Sequence, residues 1–520
     1  MEKTTEFVKK YAQTVTGAFL LLIIVVFPFY VPEGYVEIGV HKFLFFKAVG
    51  LVCLGLLAPA AVWLLIFELK KFMMKKGKVR LSATDVSLLL YGAAVLLSHI
   101  CTEWRADALW GAEGWYMGTL TQLMFIAVYF AVSRFVTNGK TWYMVGVGVS
   151  AVVFLLGLLN RFSVYPLALQ GAEPGYISTL GNINWFCSYW MVLFPVGIVA
   201  YWNGFGDTLP KKAGLILYLL LGFMTGMAQG SSSGFLALGA VGFVLFFLSF
   251  KNGERLLKWL ELVICFAVSA LTLSVLKNQF PEKYNYRNVI GEFLTKYSVG
   301  FLLFAFSVVC YAVLHFSIKK KKIKGKGLLM IRNAVTILMV FLLAGIFLLT
   351  YFYSNNPESA EHSQMAEQFI LDSDWGNGRG VTWYAGAKGF ATMSFAQKLV
   401  GVGPDCFYHY VYEVDEIAVK LYEVFGEARL TNAHNEWLTV LVNTGLFGLL
   451  TYAAAFCSAV FRLVKAGKRR EILLISAVCL ISYIVHNMVS FQQVICTPLI
   501  FILMGIGEGM LRSTNCMENS

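Results

Sequence analysis

The chain alternates between long apolar runs and shorter polar segments. Fourteen runs come near the ~20 residues that a helix needs to cross a bilayer. They cover about 14–31, 43–67, 84–101, 117–136, 142–160, 184–202, 213–229, 233–250, 260–276, 298–317, 334–353, 436–460, 472–489 and 494–511. Most connections are short. The exception is Ser354–Asn435, and a loop of that length usually carries function or structure of its own. Within it, Glu358–Leu371 and Glu416–Glu427 repeat apolar residues at helical spacing, as in Ile417, Leu421 and Val424. Val381–Phe395 is rich in aromatic and small residues. Trp375, Trp383, Tyr384, Phe390, Phe407 and Tyr410 are too many aromatics for a solvated linker. Short helices lying on or standing over the membrane are expected there. The pattern predicts an all-α integral membrane protein in four parts. These are an N-terminal bundle of about eleven spans (1–353), an extracytoplasmic loop (354–435), three C-terminal spans (436–511) and a cytoplasmic tail (512–520).

Composition agrees. The 520 residues are 58% hydrophobic and 14% charged, with mean hydropathy +0.67, which is too apolar for a soluble protein of this size. The formal net charge of +12 raises the question of nucleic acid. The placement of the charges answers it. With the N-terminus inside, the inner segments hold 29 of the 42 basic residues, densest at Lys70–Arg80, Lys319–Lys326 and Arg462–Arg470. That is the positive-inside pattern of a multi-pass cell-membrane protein with both termini cytoplasmic. No nucleic-acid footprint is needed to explain the charge. Lys9 and Lys10 precede an apolar run, but Val31–Gly39 offers no small-x-small cleavage site, so the run reads as a first span. The ten cysteines lie mostly in spans without a C-x-x-C pair, and no disulfide framework or zinc site is indicated.

The stretch with most chemistry in it is Thr431–Gly448, TNAHNEWLTVLVNTGLFG. Thr431 or Asn432 can cap the apolar helix that follows, since a short side-chain oxygen satisfies free amides of the first turn. His434 is then expected in that first turn, at the water boundary. The positive helix end favours neutral imidazole, which can accept a proton as a general base. The bland alternative is an interfacial histidine bonded to its own loop. Asp372 and Asp374 form a bare D-x-D, but DSDWGNG does not fit a calcium loop. Histidines 362, 409 and 434 are too scattered for zinc. By spacing none of these is a metal site.

His434, Asn435, Leu438, Asn443, Gly445, Leu446 and Gly448 resemble the His-Asn…Leu…Gly-Leu-x-Gly signature of the O-antigen ligase and O-antigen polymerase family. GRGVTW (378–383), GVGPDCF (401–407) and TLGNIN (179–184) fit the same family in order. The resemblance implies a metal-independent membrane glycosyltransferase, with no cofactor and with a fold like the GT-C type. Its donor would be an undecaprenyl-diphosphate-linked glycan presented at the outer leaflet. Its acceptor would be a glycan, lipid or protein hydroxyl. Transfer then needs a base for the acceptor, a cation for the diphosphate, and alignment. His434 supplies the first and Arg379 the second, with its planar fork between Gly378 and Gly380. A loop salt bridge from Arg379 to Asp372 or Asp374 is the alternative. Asn435, Asn182 and Arg161 are candidates for orienting substrate. Family members commonly carry a Ser-Arg pair after the seventh span, where this chain has Gln229–Gly234, QGSSSG. Arg161 or Arg105 would have to replace that charge, and both also suit an interfacial anchor. Gly445 and Gly448 suit close helix packing.

Other function classes fit a fourteen-span chain. One is a lipid-linked sugar flippase or other polytopic transporter, although such proteins usually bury ionisable groups at the midplane. Here Asp85, Glu261 and Glu508 fall near span ends. Another is the peptidoglycan polymerases of shape, elongation, division and sporulation. A non-enzymatic receptor or anchor is the third.

Overall fold

A computed structural model of the protein describes residues 2–74, 81–286, 288–320, 325–360, 363–367 and 369–517. Lys75, Lys76, Lys78, Arg80, Lys321, Lys322 and Lys324 of the inner basic clusters lie outside the described residues, as does His362.

The protein is an all-α polytopic membrane protein. A helix stands at each of the fourteen apolar runs. Ten are long and apolar enough to cross a membrane, and Thr119–Phe135, Ser233–Ser249 and Leu473–His486 are shorter apolar helices. The last is Thr497–Met517. The described β-structure is one antiparallel pair, Tyr176–Ile177 with Gly181–Asn182, in the register Tyr176 opposite Asn182.

The C-terminal helices are interleaved with the N-terminal ones. Glu436–Gly467 packs on Ala83–Cys101, Leu473–His486 on Ile183–Trp202, and Thr497–Met517 on Thr119–Phe135. Ile183–Trp202 is central, with every residue from Phe186 onward buried. Its sequence is apolar all round, as expected of a helix covered on all sides. Gly325–Asn355 is also apolar, but most of it is exposed; Leu328 packs with Phe246, Leu256 and Leu314.

Two buried carboxylates of the bundle are paired with arginines. Asp85 and Glu508 are buried. Asp85 meets Arg134 at 3.0 Å and also Arg512. Glu508 takes Arg462 and Arg512. This cluster ties four helices together at the ends far from His434, where charge without a partner would be costly. These carboxylates therefore act as clamps between helices, a role that nearness to a span end did not reveal.

The segment between Asn355 and Glu436 folds on its own apolar cluster, which includes Val381, Phe407, Val411, Ile417 and Leu421. Asp415–Phe425 is helical, matching the spacing of Ile417 and Leu421. The predicted Glu358–Leu371 helix is instead a short turn at Pro357–Ala360 and a single turn at Gln364–Glu367. The longest helix of the segment is Trp375–Thr392, through GRGVTW. Its glycines hid it from the sequence reading, because glycine disfavours helix interiors. Gly376 and Gly378 take positive φ near its start.

Candidate active site

Asn435, rather than Thr431 or Asn432, caps the helix Glu436–Gly467, accepting from the Leu438 amide at 3.1 Å. Asn432 instead accepts from the His434 amide at 2.9 Å. His434 is left-handed, with φ 47°, so it lies just before the cap and outside the first turn. The polar run TNAHN forms an Asx turn before the helix begins, and local side-chain bonds of this kind compete with helix.

His434 and Arg379 meet on one short turn of the chain. The Arg379 Nε donates to the Val489 carbonyl at 3.1 Å. The His434 ring meets Phe491 edge-on at 5.0 Å. Arg379 also donates to the Gly376 carbonyl at 2.9 Å. It forms no salt bridge to Asp372 or Asp374 among the described residues. Burial, with Arg379 as the smaller cause, pushes the imidazole down to about 4. That direction favours the neutral ring. The helix end was expected to favour the neutral ring; burial and a neighbouring cation are the causes here. Burial also lowers the Arg379 guanidinium from its ordinary value.

The glycine motifs explain each other. The helix Glu436–Gly467 breaks at Gly445, with φ 66° and ψ −171°. The break frees carbonyls at Val442 and Asn443, which Val402 and Gly403 amides take at 3.1 and 3.0 Å. Ser98 donates to the Asn443 carbonyl at 2.7 Å. A Cβ on Gly401 would strike Asn443, and one on Gly445 would strike Leu399. GVGPDCF therefore docks its backbone into the kink. Its Asp405 accepts from the amides of Ala112 and Met117 at 2.8 and 3.0 Å. Burial pushes that carboxyl up to about 7 against these two bonds. The loop so held carries Trp115, which meets Phe491 edge-on at 4.8 Å.

A partly open cleft beside this layer has Tyr91, Trp115, Gln122, Glu436, Asn443 and Gln492 among its walls. Asn443 Oδ1 is buried with no hydrogen-bond partner among the described residues.

The other candidates are placed differently. Asn182 caps Ile183–Trp202, accepting from Asn184 at 2.8 Å. Arg161 is buried, and its three nitrogens donate to the carbonyls of Ala228, Pro174 and Gln229 at 2.9, 2.7 and 2.7 Å. It reaches the start of the serine-rich turn, and each of its nitrogens donates to a backbone carbonyl. Arg105 donates to Thr102 O at 3.4 Å. Ser231 and Ser233 are buried and bonded to each other at 2.8 Å. Ser233 continues to His486 Nε2 at 3.2 Å, and His486 Nδ1 to Asn487 at 2.8 Å.

Glu436, His486, Asn487, Phe491 and Gln492 escaped the sequence reading. One signal was available: the His-Asn dipeptide of 434–435 recurs at 486–487. The remaining residues belong to a turn between two spans that only tertiary packing brings to His434.

No curated protein matches the chain. The family model described as O-antigen ligase matches residues 288–453. The matched segment holds Arg379, GVGPDCF, His434 and the Gly445 kink, and excludes TLGNIN, Arg161 and the 487–492 turn. Over this segment, about a third of its length, the chain is similar to the O-antigen ligase family.

Proposed function

We propose that this protein is a glycosyltransferase that transfers or polymerises an undecaprenyl-diphosphate-linked glycan at the outer face of the cytoplasmic membrane, for assembly of cell-surface polysaccharide. His434 removes the proton from the acceptor hydroxyl. The hydroxyl oxygen attacks the anomeric carbon, and the bond to the lipid diphosphate breaks with inversion. Arg379 neutralises the departing diphosphate, its fork suiting phosphate oxygens. Asn435 contributes by ending the Asx turn that presents His434. The residues assigned these roles need no metal. The orientation that puts His434 outside rests on the lysine and arginine pattern.

The observation that supports this most is the meeting of a neutral imidazole and a guanidinium on Val489–Phe491. Those are the base and the cation that inverting transfer from a diphosphate requires. The test is purified protein with a synthetic lipid-diphosphate glycan and acceptor, wild type against His434→Ala. Equal product from both would remove His434 from the mechanism.

A further inference from the structure

Glu436 follows the Asn435 cap directly and is almost fully buried, at 1% exposure. Its carboxylate is surrounded by donors. Tyr483 donates to Oε2 at 2.9 Å, and Tyr452 and the Asn487 side chain also donate. Gln492 Nε2 approaches Oε1 at 3.4 Å and donates to the Tyr452 hydroxyl at 2.9 Å. The Glu436 amide donates to the Asn487 carbonyl at 2.9 Å. Gln492 is held again from the far side, accepting from Gln122 at 2.5 Å.

Asn487 and Gln492 are the two ends of one turn. Between them stand Val489, whose carbonyl holds Arg379, and Phe491, whose ring holds the His434 imidazole. The two working groups come from separate elements, Trp375–Thr392 and the segment before Asn435. Their shared reference is this turn, and the turn is tied at both ends to Glu436. An amide in place of the carboxylate keeps one accepting oxygen and presents two hydrogens to groups that are themselves donors.

We infer that Glu436 is a positioning residue: it fixes the 487–492 turn and thereby sets the distance and angle between Arg379 and His434. The inference rests on the roles assigned above to those two residues. Reacting groups misplaced by about 1 Å can cost on the order of a hundred-fold in rate.

The test uses the full-length purified protein in lipid nanodiscs, with a lipid-diphosphate glycan as donor. In Glu436→Gln, kcat per folded molecule should fall about a hundred-fold, while KM for the donor changes less than about threefold. Asn487→Ala, which removes one tie and keeps the carboxylate, should fall in the same direction by less and serves if Glu436→Gln does not fold. A second readout does not depend on activity. Met488, half exposed on the turn, is replaced by Cys in a background without other exposed cysteines, and its maleimide labelling rate is measured. Glu436→Gln and Asn487→Ala should raise that rate several-fold. Unchanged kcat together with unchanged labelling overturns the inference. Faster labelling with wild-type kcat also overturns it, because the turn would then be free without consequence. If His434→Ala keeps full turnover, the proposed mechanism fails by itself. The tie between Glu436 and the turn then stands or falls on the labelling rate alone.

Discussion

At the scale of single residues, the site depends on what surrounds each group more than on which group it is. A histidine folded with its ring near 4, and about 6.5 when unfolded, stays neutral across the physiological range. Between those values only the unfolded chain binds the extra proton. The contribution of His434 to stability is therefore full above about 6.5 and is lost as pH falls toward 4. The kcat/KM profile, which reports the free enzyme, should keep its acid limb near 4, well below the ordinary histidine value. A limb near 6.5 would mean that the ring is solvated. His434→Ala and His434→Gln should lose about a hundred- to ten-thousand-fold in turnover, with insertion and donor binding intact by nanodisc binding assay. Arg379→Lys keeps the charge and loses the fork. Hydrogen bonds to charged groups are worth about 1.5–3 kcal/mol, so transfer should drop roughly ten- to hundred-fold in the same assay.

At the scale of elements, the end of Glu436–Gly467 at the candidate site is built by a cap and a kink. Asn435→Ala should cost about 1 kcal/mol by loss of the cap, read as a lower thermal midpoint in nanodiscs. Gly445→Ala should cost more. A left-handed position costs other residues about 1–3 kcal/mol, and the new methyl would also meet the Leu399 backbone. Both effects push GVGPDCF out of the kink, so transfer should fall together with stability. A Gly445→Ala protein with unchanged midpoint and activity would show that the kink is dispensable. The cap was legible as a group of short polar residues, but the choice among them was not. Selection of Asn435 required His434 to turn left-handed, and burial of Glu436 and contact with Phe491 hold it there.

At the scale of the whole molecule, both faces of the bundle are secured by buried polar groups. Asp85 and Glu508 with their arginines close one end, and the Glu436 network lies at the other. A reporter fused after Lys319 should read cytoplasmic and one inserted at Ser359 extracytoplasmic, because lysines crowd the first position and acidic residues follow the second. Both reporters on one side would break the span count and the placement of His434 with it. The fourteen runs were legible because a bilayer forces each spanning segment to be a long apolar helix by itself. Their neighbours were not legible, since apolar helices in lipid differ little in what they can pack against.

The sequence by itself determined the membrane class, the position of each span and the helical segment at 415–425, and it pointed to His434 and Arg379 as the candidate base and cation. Each of these is local: it depends on a run of residues or on the properties of one side chain. Only the tertiary structure decided that Val489 and Phe491 join those two groups, that Arg161 binds backbone carbonyls, and that Glu436 ties the turn between them. These contacts link residues up to about a hundred positions apart. Hydrogen-bond donors and acceptors are chosen there by which partners the packed helices leave unsatisfied, and no local pattern records that choice.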